Sequence, residues 1–191
     1  TLQNVKICFI ASGDFPHVYP FLNYFKIYHQ VHFIKVTPFN KIQWKSKDVP
    51  VSRVKFGKRW SRLFFLAGIF KCKRLVKKMK PDVVYAHFMT SAGLLAALST
   101  GSRKIVAAHG SDVINAQRSL LKKLLLRFIA SRIDLIHAVS RDLKDVLVSI
   151  NIPEYKIFVM NMGIDPDQFN HTGHIAEDNM LIKMVTTRRL E

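Results

Sequence analysis

Residues 105–112 read "IVAAHGSD": four apolar residues run straight into an imidazole, a glycine, a hydroxyl and a carboxylate. A short, continuously apolar run containing Ile105 and Val106 suits a strand covered on both faces. Gly110 supplies a position where a tight turn and close approach of a ligand to the backbone are both allowed. In an open parallel sheet, ligands bind beyond the carboxyl ends of the strands. A rigid apolar base that delivers His109, Gly110, Ser111 and Asp112 to such an edge is therefore a candidate site.

Working outward, the same kind of run recurs. The pattern predicts strands at 5–11, 31–36, 51–54, 83–88, 104–108, 135–139 and 156–160. Between them, helical spacing appears at 17–29, 60–79, 91–99, 117–131 and 141–150. Strands alternating with helices imply right-handed crossovers and an α/β, Rossmann-like, doubly wound parallel sheet. Thr90 or Ser91 can cap the helix carrying "AGLLAAL", and Ser140 the helix "RDLKDVLVSI", which Pro153 keeps from continuing. Residues 1–170 form this domain, 171–179 a polar linker, and "MLIKMV" within 180–191 the first strand of a second domain. An isolated strand cannot bury both faces, so the 191 residues should fold without being a complete machine.

Polar residues gather after these strands. They are Ser12, Gly13 and Asp14; His87 and Thr90; His109 to Asp112; Ser140 to Asp142; and the turn Asn161 to Asp165. His137 lies inside a strand and reads as a packing residue, whereas His87 is open to packing or function. Asp112 can cap the next helix or bind a hydroxyl. No GxGxxG follows the first strand, and GxxxxGK[ST] and GxSxG are absent, so neither a dinucleotide cofactor, a P-loop nor a nucleophile elbow is indicated. His17, His29, His32, His171 and His174 share no ligand spacing, and no metal site is expected. Cys8 and Cys72 form no CxxC and read as reduced thiols of a cytoplasmic protein.

Charge is uneven. Residues 1–80 contain 17 Lys and Arg against only Asp14 and Asp48, a net of +15, and the rest of the chain is nearly balanced. An anionic partner follows: a membrane, a nucleic acid or a phosphorylated substrate. No run approaches the ~20 apolar residues that span a bilayer, and the first strand lacks the charged leader of a signal peptide. In "RWSRLFFLAGIFKCKRLVKKMK", residues 59–80, bulky apolar side chains adjoin Lys71, Lys73, Arg74, Lys77 and Lys78, as an interfacial helix on an anionic membrane requires. Core packing of Leu63, Phe64 and Phe70 is the competing reading. The aromatic and basic segment "FGKRWSRLF", 56–64, leaves a second possibility, a basic Rossmann-like module that binds nucleic acid.

"AHGSD", "AVSRDLKDVL", "NMGIDPDQF" and "TTRRLE", in that order, resemble the signposts of family 4 glycosyltransferases of the GT-B fold. The resemblance covers essentially the whole chain as an N-terminal half. It implies two Rossmann-like domains across a cleft, with the acceptor held mainly by this half and the nucleotide sugar mainly by the other. It implies sugar transfer with retention of configuration, without a cofactor, to a glycan or lipid-linked acceptor in cell-surface polysaccharide or glycolipid synthesis. His109 would then be the catalytic-site residue facing the donor sugar. Ser12 and Gly13 would lie near the donor diphosphate, and Arg189 would help hold it. His87, Gly110, Ser111 and Asp112 would line the cleft. The chain departs from the family pattern at Ser12, where a second glycine is common, at Met162, and at Arg188 in place of a glycine.

Overall fold

A computed structural model describes residues 4–12, 18–37, 48–55, 61–117 and 119–163. Among them, seven strands are hydrogen-bonded in the order β3-β2-β1-β4-β5-β6-β7. They are β1 (Lys6–Ser12), β2 (Gln30–Thr37), β3 (Val51–Lys55), β4 (Val83–His87), β5 (Arg103–Ala108), β6 (Leu135–Ala138) and β7 (Ile157–Val159). Every pairing is parallel. The helices are α1 (Val18–Tyr28), α2 (Ser61–Met79), α3 (Ser91–Leu98), α4 (Ser111–Ile114), α5 (Leu120–Ser131) and α6 (Arg141–Ser149). The expected doubly wound sheet is present, each strand within one or two residues of its expected ends. The four-residue α4 was not anticipated.

Winding runs outward from β1 to β3 in one direction and from β4 to β7 in the other. The reversal falls between β1 and β4, and in open α/β sheets ligands bind outside the carboxyl ends of the strands at such a reversal. Alternation along each strand divides the core in two. Cys8, Ile10, Val84, Ala86, Val106, Ala108, Ile136 and Ala138 pack with α2, α3, α5 and α6 on one face. Ile7, Phe9, Ala11, Phe33, Tyr85 and Ala107 pack under Val18 and Leu22 of α1 on the other.

Small residues let α3 sit low against the sheet, between α2 and α5. A Cβ on Gly93 would come within 3.1 Å of Val106 Cγ2 and 3.2 Å of the Phe88 carbonyl, so only hydrogen fits there without a shift. Ser140 caps α6 as expected, its hydroxyl accepting from the Leu143 N–H at 3.2 Å. Thr90 occupies the N-cap position of α3 without a side-chain bond. Helix α6 ends before Pro153, through Asn151 in the left-handed region (φ 63°).

Helix α2 turns Gly68, Cys72 and Val76 inward. Cys8 and Cys72 are free, buried thiols; burial lifts both, Cys72 to about 12, and keeps them neutral. Phe70, for which core packing competed with an interfacial role, is 70% exposed. Lys71, Lys73, Arg74, Lys77 and Lys78 are all exposed. The side chains of Trp60, Leu63 and Phe64 lie outside the described residues, as do residues 56–60, the linker at 171–179 and the strand expected in 180–191.

Candidate functional site

Register brings two histidines together. Ala11 pairs with His87, and His87 with Ala107, so His87 closes β4 beside the carboxyl ends of β1 and β5. Alternation then puts His109, two residues beyond Ala107, on the same face as His87. His87 Nδ1 and His109 Nε2 are 3.1 Å apart. Two imidazole nitrogens at that distance share one proton, one ring donating and the other accepting. His87 is fully buried and His109 half-buried, so His87 is the fixed member and His109 the one accessible from the carboxyl edge of the sheet. Phe21 of α1 stands edge-on to His87, with ring centroids 5.2 Å apart.

Asp112 locks the turn. Its Oδ2 accepts from the Met89 N–H at 2.6 Å, and its Oδ1 from the N–H groups of His109 at 3.2 Å and Gly110 at 3.0 Å. One carboxylate therefore ties the loop after β4 to the loop after β5. Burial pushes its pKa up, and these backbone donors pull it back toward the ionised form. Asp112 does not cap the following helix as expected: Gly110 holds the N-cap position without a side-chain cap bond, and Asp112, in the first turn of α4, reaches back to N–H groups that precede the helix. Both of its oxygens accept from main-chain donors.

Gly110 sits at φ 118°, where a side chain would be strained, although a Cβ there would meet nothing within 4 Å. Conformation, rather than space, requires glycine at this point. Ser111 is exposed at the start of α4. Phe88 joins the site without any mark in the sequence. It holds φ 74°, an outlying conformation for a bulky residue, and its ring lies 4.4 Å from that of His109. Its N–H donates to the Ala107 carbonyl and its own carbonyl accepts from Gly93, both at 2.9 Å, so packing on both sides maintains the strain.

His137 is a packing residue, as read. Its Nε2–H donates to the Met160 carbonyl at 2.6 Å, which leaves Nδ1 to accept the Tyr85 hydroxyl at 2.7 Å. Burial lowers the His137 pKa and raises that of Tyr85. Ser12 ends β1, one residue beyond the Ala11–His87 pair, whereas Gly13 and Arg189 lie outside the described residues. Among the described residues, no three His, Cys, Asp or Glu side chains are grouped to hold a metal ion, and no helix is long and apolar enough to cross a membrane.

The fold is shared with a galactosyltransferase, a UDP-GlcNAc 2-epimerase and a protein solved with UDP. HepE of Anabaena, solved in complex with UDP and glucose, superposes with a TM-score of 0.66 at 15% identity over 86% of this chain and 46% of its own. The lipopolysaccharide outer core galactosyltransferase WaaB matches at 0.63 and 15% identity, over 82% of this chain and 45% of its own. The UDP-GlcNAc 2-epimerase of Methanocaldococcus jannaschii matches at 0.60 and 17% identity, over 81% and 45%. The chain thus spans less than half the length of these proteins. No curated protein matches it. A glycosyl transferase 4-like family profile matches residues 6–140, from the start of β1 to the cap of α6. With about seven-tenths of its length inside that profile, the chain belongs to the glycosyl transferase 4-like family.

Proposed function

We propose that this chain is the acceptor-side half of a retaining glycosyltransferase that moves a sugar from a nucleotide diphosphate donor to a glycan or lipid-linked acceptor. Family membership supports transfer chemistry. UDP and UDP-glucose bound to HepE support a nucleotide-sugar donor. The observation that carries the reading is His109, presented at the switch point of the sheet by Asp112, His87 and Phe88.

Departure of a nucleoside diphosphate builds negative charge on the leaving oxygens and positive charge on the sugar ring. A half-buried imidazole with a set orientation offers a directed hydrogen bond to the sugar as that charge develops. Arg189, a planar double donor, suits the diphosphate oxygens, and a glycine at position 13, after Ser12, suits close approach of a phosphate to backbone N–H groups.

In the complete enzyme, His109→Ala is expected to lower kcat about a hundredfold or more while KM and Tm change little, because the interaction strengthens in the transition state. Unchanged kcat in a folded variant would remove His109 from the site. Residues 1–191 alone should show no transfer.

The same proposal places the protein at the cytoplasmic face of the membrane, in the synthesis of cell-surface polysaccharide or glycolipid. Exposed Lys71, Lys73, Arg74, Lys77 and Lys78 support attraction to an anionic leaflet. Their joint replacement by Glu should abolish salt-sensitive binding to anionic vesicles. Equal binding to neutral vesicles would contradict it.

A further inference from the structure

Helix α5 has two apolar sides. Leu126, Ile129 and Ala130 are buried against the sheet. Leu120, Leu121, Leu124 and Phe128 are exposed, Leu120 by 71% and Leu121 by 79%. At 3.6 residues per turn these four fall within about 100° of arc, on the side facing away from the core. A surface helix of a globular protein ordinarily has one apolar stripe, against the core, with polar residues opposite. Here the outer side is also apolar.

The charges around this stripe have one sign. No Asp or Glu occurs from residue 113 to 133. Lys122 and Arg132 are exposed and Lys123 half-buried; the Arg132 guanidinium lies 4.8 Å from the centre of the Phe128 ring. Helix α6, next along the chain, has Asp142 and Asp145 beside Arg141 and Lys144, and no such stripe. Helix α2, on the other side of α3, repeats the α5 pattern in outline. Leu66 and Phe70 are exposed at one helical spacing, Arg74 and Lys77 continue their line, and the helix contains no acid.

We propose that the outer side of α5 forms a docking face that inserts into the surface of a bilayer carrying anionic headgroups, with the exposed side of α2 as its electrostatic flank. Bulky apolar residues enter the headgroup boundary while long cationic side chains reach phosphate. Charge selects this occupant over a second copy of the chain, which would set cations against cations. In a right-handed crossover a helix runs back against its strands, so its first turns lie at their carboxyl edge. Leu120 and Leu121, and also Leu66 in the leading part of α2, are thereby placed toward the edge that carries His109. The site would open beside the lipid surface; that consequence alone rests on the transferase reading, and it narrows the acceptor to one presented from the membrane.

The test uses the full chain with phosphatidylcholine vesicles, with and without phosphatidylglycerol. Leu121→Ser together with Leu124→Ser should lower the partition coefficient on anionic vesicles roughly tenfold or more, with unchanged Tm. A polarity-sensitive dye on Leu121→Cys should shift to the blue when those vesicles are added; buried Cys8 and Cys72 do not compete for label. Three results would overturn the proposal: no vesicle binding, binding with an unshifted dye, or a dye already shifted without vesicles, which would mean that another part of the chain or a second copy covers the face. Turnover of a UDP-sugar by the complete enzyme, and its loss on His109→Ala, tests the transferase reading separately, so failure of one is not failure of the other.

Discussion

Residues 109–112 and residues 114–128 follow one another along the chain and are built on opposite terms. In the first, polar groups are satisfied internally: Asp112 accepts from three main-chain N–H groups and His109 bonds to His87. In the second, apolar groups are left in water, with Ile114, Leu120, Leu121 and Leu124 all about half exposed or more. Internal satisfaction holds a geometry still, which suits a group that must point at a reacting centre. Unsatisfied apolar area holds nothing still and has value only when something covers it. The first region is therefore read as orientation and the second as attachment.

The strongest way to sharpen that contrast is within α5 itself. Leu126 is fully buried beneath the helix. Leu126→Ala should lower the unfolding free energy by about 2–5 kcal/mol, the range for emptying a packed leucine site. A loss under about 1 kcal/mol in a denaturant melt would mean that α5 is not seated on the sheet as described.

A smaller effect is expected at Asp112. Asp112→Asn keeps the shape but turns one acceptor into a donor, so its NH2 must face either the Met89 N–H or those of His109 and Gly110. One buried donor then loses its partner, at about 1–3 kcal/mol. The loop should loosen as well, and kcat should fall with Tm. If Tm held while kcat fell, Asp112 would act on substrate directly, and the division between a pinned loop and an open face would need redrawing.

Much of the sheet was legible because parallel strands covered on both faces must be apolar throughout, and seven such runs stand out between helical spacings. The polar strand ends were legible for the same reason. What was not legible depends on register and backbone angle. His87 was left open between packing and function because only the pairing of Ala11, His87 and Ala107 brings it beside His109. Phe88 has no sequence mark, since its positive φ is imposed by bonds to Ala107 and Gly93. Phe70 shows the limit for amphipathic patterns. Helical spacing groups apolar residues on one side but does not say which side meets the sheet, and in α2 that side is Gly68, Cys72 and Val76.

Acid offers a further separation. His32 and His137 both have pKa values lowered by burial, so the folded state prefers them neutral. Their contribution to stability should be complete above the unfolded value of about 6.5 and should decline as pH falls toward the lower folded value. In NMR titration the His137 ring should stay neutral until below that unfolded value, and Tm should fall over the same interval. A His137 midpoint above that value would contradict the Tyr85–His137–Met160 chain.

The smallest expected change is at Leu121, and its smallness is informative. Leu121 and Leu126 are the same residue type five positions apart on one helix, one 79% exposed and the other fully buried. Leu121→Ala removes the same atoms as Leu126→Ala but takes them from water, so neither transfer free energy nor a cavity opposes the change. Alanine is also slightly the better helix former. The unfolding free energy should therefore move by no more than about 0.5 kcal/mol in either direction, the usual range for a surface site. A measured loss near that of Leu126→Ala would show that some other part of the chain packs on this leucine, and the apolar outer face of α5 would be core rather than attachment. A null result on stability, beside a large one at Leu126, would mean that folding does not account for a leucine at this position and that its role lies in what the helix touches.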